Sequence, residues 1–284
     1  MTEAHLPVVV VTDSAASIPG DLVRAYGIEV IPFQVIWDGQ TYLDGVDLTP
    51  DEFYRRFRET TTRPTTAVPT PGQFAGAFAR ATSRASGIVG VFVSGALTST
   101  VDAAIRAADG LPVPVRIVDS RTALMAEGWI ALAAARAAAR GASLEEAAAA
   151  AEAARSRSVM IATLQTLEHL IRGVRAGKVA RLATSHIHVQ PVVTISDGTV
   201  APVAVARSPE KAEDRVVEAM QRGIGDRPFR ASVFHGESPE EAESLAARVR
   251  SLPNCLEFFM SHLTPVAGAH AGPAVLGVAY CVEE

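Results

Sequence analysis

Residues 8–17 read VVVVTDSAAS, and this stretch decides how the chain begins to fold. Its first five residues are all β-branched, which is typical of a strand buried inside a parallel sheet. The polar residues that follow can cap a helix, and a helical pattern covers residues 20–26. A buried strand that passes through a short polar turn into a helix is the repeating unit of an α/β sheet.

The same order of strand, turn and helix recurs through the first half of the chain. Strands are predicted over residues 29–37, 87–93 and 115–118, and helices over residues 51–59, 72–84 and 123–140. Residues 60–71, rich in threonine and proline, are predicted to form a loop. Ser14, Ser94 and Ser120 each follow a strand, and ligands of open α/β sheets bind at that end of the strands.

Beyond about residue 160 the pattern changes. Residues 189–195 and 199–206 flank Asp197-Gly198 and predict a β-hairpin, and further strands and helices alternate after it. We therefore predict an α/β protein of two α/β domains with a ligand between them. The N-terminal domain, residues 1–160, has a mainly parallel sheet with flanking helices. The C-terminal domain, residues 161–284, has a mixed sheet with helices, and 284 residues suit about two domains.

Composition excludes several classes of protein. Hydrophobic residues make up 48% and charged residues 20%, which excludes intrinsic disorder. A net charge of −5 argues against binding to nucleic acid, which needs a basic surface. Mean hydropathy is +0.20, but no uncharged apolar stretch is long enough to span a bilayer, so we expect no stable membrane insertion. We expect no signal peptide and a cytoplasmic protein whose two cysteines are reduced.

Common catalytic and metal-binding motifs are missing from the sequence. It contains no GxxxxGK[ST] phosphate loop, GxGxxG, GxSxG or HExxH motif, which argues against P-loop enzymes and common hydrolases. His186 and His188 would share one face of a strand, but no acid or cysteine stands at a matching spacing. We favour a surface position for both histidines and predict no metal site.

Three segments carry polar groups that could hold a small anion. In residues 65–71, Thr70 can cap the next helix while Thr66 faces a ligand. Ser94-Gly95 ends a strand before a helix, where backbone N–H groups suit an anion, although a plain capping turn has the same pattern. His270 has a glycine two residues away on either side. This favours a histidine presented on a loop to a ligand over the alternative, a buried structural histidine.

Six motifs, in their order along the chain, resemble those of the DegV family of bacterial fatty-acid-binding proteins. They are VTDS at 11–14, YLDGVD at 42–47, TAVPTP at 66–71, SGALTST at 94–100, LEHL with GVR at 167–175, and GAHAGP at 268–273. The chain departs from the family pattern at single positions. Gly95 replaces a serine, Val68 a glutamine, Val174 a glycine, Gln190 a lysine and Ala271 a threonine.

The resemblance implies a non-enzymatic protein without a cofactor that holds a long-chain fatty acid, such as palmitate or oleate, in an interdomain tunnel. It implies that hydroxyls and a histidine bind the carboxylate, at Thr66, Ser94, Gly95, Thr98 and His270. Ser14 and Arg175 would serve the rim of the site or the fold. It also implies a partner, a fatty acid kinase that converts the presented acid to an acyl phosphate.

Two other functions fit the same residues. One is an enzyme that processes acyl esters or acyl phosphates, with His270 as acid or base and Ser94 or Thr66 as nucleophile. The other is a protein that binds a sugar or a phosphorylated metabolite, which predicts a polar pocket. The three segments that carry the head-group candidates hold no lysine or arginine, which disfavours this last function.

Overall fold

The computed structural model describes residues 7–173 and 189–283. Val174, Arg175, His186 and His188 lie outside the described residues, so the predictions that rest on them stay predictions.

The strands of the described residues form sheets of four, six and three strands. They are β1 Val8–Asp13, β2 Glu29–Ile31, β3 Gln34–Trp37, β4 Gln40–Leu43, β5 Thr65–Ala67, β6 Gly87–Phe92, β7 Val115–Asp119, β8 Ser158–Thr163, β9 Gln190–Ser196, β10 Thr199–Ala206, β11 Phe229–His235, β12 Cys255–His262 and β13 Leu276–Val282. The helices are α1 Gly20–Tyr26, α2 Pro50–Glu59, α3 Pro71–Thr82, α4 Thr100–Ala108, α5 Leu124–Ala139, α6 Leu144–Arg155, α7 Glu168–Gly173, α8 Pro209–Ile224, α9 Pro239–Arg250 and α10 Pro265–Ala271, with a short 3₁₀ helix at Ser14–Ala16.

The first sheet is parallel, with strand order β2-β1-β6-β7. Helices α3 and α4 pack on one face against Val9 and Val11, while α5 and α6 pack on the other against Val10. Since successive side chains of a strand point to opposite faces, both faces need apolar residues. The predicted mainly parallel sheet with flanking helices is confirmed, and the run of β-branched residues at the start of the chain is its reason.

The second sheet is mixed, with strand order β10-β9-β8-β13-β11-β12. Helices α8 and α9 cover one face and α5 contacts β8 and β13 on the other. The predicted hairpin is confirmed, because β9 and β10 pair antiparallel on either side of Asp197-Gly198. Both turn residues have the positive φ that a tight hairpin turn requires. The predicted domain boundary at residue 160 lies inside β8 and stays a prediction.

Helix α5 lies between the two larger sheets and is buried on most of its surface. Its side chains are largely alanine, which lets both sheets approach the helix closely. The Trp129 Nε1–H donates to the carbonyl oxygen of Ala279 in β13 at 3.3 Å, so the helix is bound to the second sheet as well as packed on it.

One predicted strand is wrong in extent. Residues 29–37 form two strands, because Pro32 has no N–H for a sheet ladder and Phe33 donates its N–H to the Ser14 hydroxyl at 3.0 Å. After this break the chain leaves the parallel sheet, and β3 pairs with β4 and β5 in a small antiparallel sheet. Strand β5 lies in the segment predicted to be a loop, and its Thr66 pairs with Val35.

None of the helices in the described part of the chain combines the length and the apolar character that a membrane span requires.

Candidate functional site

A cavity of about 320 Å³ is lined by strands of the second and third sheets and by residues that follow β1 and β6 of the first sheet. This volume is within the range of roughly 300–1,000 Å³ of small-molecule pockets. Its walls are mainly aliphatic side chains from β8, β9, β10, α10 and the start of α5. The polar residues among the described lining are Thr66, Thr98, Ser99, Thr194 and His270. The cavity therefore suits a ligand that is mostly hydrocarbon with a small polar group.

Thr66 and His270 form a polar pair in this lining. The Thr66 Oγ1 lies 2.8 Å from the His270 Nε2, although the residues are 204 positions apart in the chain. The antiparallel pairing of β5 with β3 holds Thr66, and α10 packs on both strands and brings His270 to it. The buried His270 Nδ1 has no hydrogen-bond partner among the described residues. Burial lowers the pKa of His270 to about 4, so the imidazole is neutral near pH 7.

The local conformation predicted for His270 is wrong. The residue lies in the last turn of α10 and not on a loop. Gly268 is inside the helix, and a Cβ there would lie 2.7 Å from atoms of both Phe53 and Tyr54, so this glycine lets α10 pack closely on α2. Gly272 ends the helix with a φ of +79°. The two glycines position the helix that carries the histidine.

Ser94 and Gly95 are not brought to the cavity lining. The Ser94 hydroxyl donates to the Gly198 carbonyl oxygen at 2.8 Å, and the Gly95 N–H donates to the Asp119 Oδ1 at 3.2 Å. The turn of the β9–β10 hairpin lies against Ser94, since a Cβ on Gly198 would come within 2.7 Å of the Ser94 Oγ. In this structure the Ser94 hydroxyl and the Gly95 N–H are thus bonded within the protein, and their contact with a ligand carboxylate stays a prediction.

Thr98 lines the cavity, and its hydroxyl donates to the Thr100 Oγ1 at 2.8 Å. Its contact with a ligand carboxylate stays a prediction. Thr194 was not singled out in the sequence, and its hydroxyl donates to the Met160 carbonyl oxygen at 2.6 Å. Its position in a strand of the predicted hairpin was the available signal, since alternate strand residues share a face. With both hydroxyl protons used within the protein, the pair of Thr66 and His270 is better placed to donate to a ligand.

Ser14 lies outside the cavity lining, where its hydroxyl accepts the Phe33 N–H and helps to turn the chain out of the parallel sheet. Next to it, the Asp13 carboxylate accepts the N–H groups of Ala15 at 2.9 Å and Val93 at 3.0 Å. This geometry gives residues 13 and 14 a role in the fold around the cavity.

Three buried carboxyl groups surround this region, none of which was predicted as a site. Burial raises the pKa of Asp13 to about 7 and that of Asp44 to about 6. The pKa of Glu127 is raised well above its ordinary value, first by burial and then by the charge of Asp13. Asp44 accepts the Val266 N–H at 3.1 Å and so holds the first turn of α10. These groups show how strongly this interior disfavours a charged carboxylate.

No cluster of three or more potential metal ligands occurs within residues 7–173 and 189–283. The cavity lining over the same ranges contains no charged side chain of Asp, Glu, Lys or Arg.

Comparisons with known proteins give a consistent result over nearly the whole chain. A family model described as "Uncharacterised protein, DegV family" matches residues 7–283. A DegV domain-containing protein of Streptomyces coelicolor is 35% identical over 274 residues, which cover 95% of this chain and 97% of that protein.

Two solved structures are similar over the same extent. One, described as showing fatty acid binding of a DegV family protein from Thermus thermophilus, has 29% identity and a TM-score of 0.91, covering 98% of this chain and 100% of that one. The other, described as DegV, a fatty acid binding protein from Bacillus subtilis, has 26% identity and a TM-score of 0.90, with the same coverage.

Proposed function

The chain belongs to the DegV family, and from this membership we propose that it binds a long-chain fatty acid, such as palmitate or oleate, in the cavity. The observation that carries the proposal is an aliphatic cavity with a few polar groups in its described lining, among them the pair of Thr66 and His270. The similar proteins from Thermus thermophilus and Bacillus subtilis, which are described as binding fatty acids, support it.

The physical chemistry of the cavity suits an acyl chain. Each CH₂ group removed from water contributes about 0.8 kcal/mol, so an aliphatic wall supplies affinity without polar contacts. In the proposed complex the carboxyl group lies at Thr66 and His270, and Thr98 lines the cavity nearby. Ser94 and Gly95, which bond to Gly198 and Asp119 in the structure, stay proposed contacts of the carboxyl group. Arg175 keeps its proposed role at the rim or in the fold.

We further propose that the protein is not itself an enzyme and presents the bound acid to a separate fatty acid kinase in the cytoplasm. The resemblance of its motifs to the family supports this role. The test is acyl phosphate formation from ATP and palmitate by such a kinase with and without this protein. Formation that is equally fast without it would contradict presentation.

Binding itself is tested by mass spectrometry of freshly purified, denatured protein, followed by titration of the delipidated protein with palmitate and oleate. The proposal expects a co-purified fatty acid and saturable binding of at least one of the two. A protein that is empty and also binds neither would contradict it. Thr66→Val and His270→Ala should each weaken binding, whereas Ile105→Ala, on the exposed surface of α4, serves as the matched control.

A second candidate, an acyl-processing enzyme, has one observation in its favour. A hydroxyl 2.8 Å from an imidazole is the spacing of a nucleophile and its base. However, the lowered pKa makes His270 a weak base, and within the described residues no third group orients its Nδ1. Turnover of a p-nitrophenyl acyl ester that is lost in His270→Ala, with binding kept, would favour this candidate. The aliphatic walls of the cavity disfavour a sugar or phosphorylated metabolite as ligand.

A further inference from the structure

The sequence motif at residues 42–47 forms a tight turn next to the cavity. The Leu43 carbonyl oxygen accepts the Asp47 N–H at 2.9 Å, and the Asp47 carboxylate accepts the Leu43 N–H at the same distance. Gly45 has a φ of +71°, in the left-handed region that favours glycine. The turn is thus fixed by its own residues, and it holds Asp44 in a defined place.

Asp44 links this turn to helix α10. Its side chain is buried, and its N–H donates to the Phe33 carbonyl oxygen at 2.9 Å. The Asp44 Oδ1 accepts the N–H of Val266, 222 positions further along the chain, at 3.1 Å. The Oδ2 has no hydrogen-bond partner among the described residues. The bond from Oδ1 to Val266 is therefore the direct contact between the carboxylate and the helix backbone.

Helix α10 has no cap from its own sequence. It begins at Pro265, which has no N–H, and follows Thr264, the position from which a threonine usually caps a helix. The Thr264 hydroxyl donates instead to the Ser14 carbonyl oxygen at 3.5 Å. Asp44 supplies the missing acceptor from a distant part of the chain. Because a helix of seven residues is not stable by itself, its position depends on such tertiary contacts.

The residue that Asp44 binds is part of the cavity wall. Val266 and His270 both line the cavity and lie four positions apart on α10. Four positions are about one turn, and the backbone ladder of an α-helix joins the N–H of the later residue to the carbonyl group of the earlier one. A displacement at Val266 is therefore passed on to His270, whose Nε2 lies 2.8 Å from the Thr66 Oγ1.

We propose that Asp44 is a positioning residue of the fatty acid site: its carboxylate caps α10 and so holds His270 beside Thr66. Asp44 is not among the described residues of the cavity lining, and it acts on the ligand through the helix. The inference rests on the proposed function. It gives the motif at residues 42–47 a role in binding that its local pattern does not indicate.

A purely structural role of Asp44 has different consequences. A buried carboxylate that accepts a hydrogen bond also stabilises the fold, so a loss of stability on its removal does not separate the two roles. A structural role predicts lower stability and an unchanged site in the molecules that are folded. A positioning role predicts that His270 changes its surroundings in molecules that are fully folded.

The experiment compares three variants of the delipidated full chain by palmitate titration, by urea unfolding and by NMR of isotope-labelled histidine. Asp44→Ala has no acceptor for the Val266 N–H, whereas Asp44→Asn keeps one. Val249→Ala is the control for stability, because Val249 is buried in α9, in the separate core of the second sheet under α8 and α9. The signal of His270 is identified by its loss in His270→Gln.

We expect Asp44→Ala to raise the Kd for palmitate about tenfold, which corresponds to one lost hydrogen bond. The nitrogen resonance of the His270 imidazole should shift in the ligand-free variant, because its contact with Thr66 lengthens. Asp44→Asn should change the Kd less than about threefold and keep the His270 resonance, since the amide oxygen still accepts the Val266 N–H. Val249→Ala should lose stability but keep the Kd and the resonance of the wild-type protein.

A wild-type Kd in Asp44→Ala would overturn the inference and leave the proposed function intact. A higher Kd with an unshifted His270 resonance would also overturn it, because the effect would not pass through His270. If Asp44→Asn behaves like Asp44→Ala, the capping role is wrong.

Asp44→Thr takes the place of Asp44→Ala if that variant does not fold. The threonine side chain fills more of the space, and its hydroxyl ends one bond short of the position of the carboxylate oxygens. Failure of the wild-type protein to bind palmitate and oleate would contradict the proposed function. The His270 resonance, which is read without ligand, would still test the positioning role in that case.

Discussion

Gly268→Ala is the substitution that most directly tests how the site is assembled. The new Cβ would lie 2.7 Å from the Phe53 Cε1 and the Tyr54 Oη, both well inside normal contact distance. Phe53 and Tyr54 are 0% and 2% exposed, so neither ring can move aside without disturbing the core. The helix α10 must shift instead, and His270 lies two residues further along it.

The expected free-energy change is a balance of two terms. Overpacking of a core costs about 1–3 kcal/mol, and alanine in a helix is favoured over glycine by about 1 kcal/mol. We therefore expect a net loss of up to about 2 kcal/mol in the free energy of unfolding. A shift of α10 also lengthens the 2.8 Å contact between Thr66 and His270, so we expect weaker fatty acid binding.

Gly76→Ala is the matched control for this substitution. Gly76 is also inside a helix, α3, but a Cβ at this position would meet only the flexible end of Arg80, at 3.6 Å. This variant should be as stable as the wild-type protein or more stable by up to about 1 kcal/mol. Urea unfolding measures both variants, and palmitate titration measures binding. Equal stability and equal affinity of the two variants would refute the packing argument.

Three further predictions concern other parts of the site. Leu124 lines the cavity and has a φ of +58°. Leu124→Gly should therefore release backbone strain, enlarge the cavity and shift the binding preference toward bulkier acyl chains. Fatty acids of different chain lengths that compete for the variant as they do for the wild-type protein would contradict this. Glu127 is protonated in the fold, so its contribution to stability falls as pH rises above about 4.5. In Glu127→Gln the free energy of unfolding, measured with urea, should therefore fall less from pH 6 to 8 than in the wild-type protein. An equal fall in both proteins would contradict this prediction. Ser94→Ala should lower the free energy of unfolding by about 1 kcal/mol, yet weaken palmitate binding less than Thr66→Val does. A larger loss of palmitate affinity in Ser94→Ala than in Thr66→Val would indicate that Ser94 contacts the ligand.

Elements whose signals are local could be predicted closely from the sequence. The helix predicted over residues 51–59 is found as α2, and the Thr49 side chain caps it by accepting the Glu52 N–H. Thr70 caps α3 through a reciprocal capping box, and Asp197-Gly198 turns the hairpin. The single strand predicted over residues 29–37 is wrong, because Pro32 ends the pairing of β2 in the parallel sheet. The next strand, β3, pairs with β4 and β5, which the sequence pattern did not identify as strands.

The residues of the site could be named one at a time from the sequence, but their association could not. Thr66, Thr98 and His270 were identified and do line the cavity, whereas Ser94 and Gly95 had equally good local patterns and do not. A serine at the end of a strand has the same neighbours in the sequence whether its hydroxyl faces a ligand or a carbonyl group. The Ser94 hydroxyl donates to the carbonyl oxygen of Gly198, which lies in the β9–β10 hairpin 104 positions further along the chain.

The amino-acid order alone thus determined the α/β class, the caps and turns, and a set of residues able to bind an anion, since these depend on neighbours within a few positions. Tertiary structure decided which of them meet. It placed α5 between two sheets, joined Thr66 to His270 across 204 positions and buried the imidazole. Hydrogen-bond partners and desolvation arise from packing between distant segments, and for that reason the charge state of the site is a property of the folded chain.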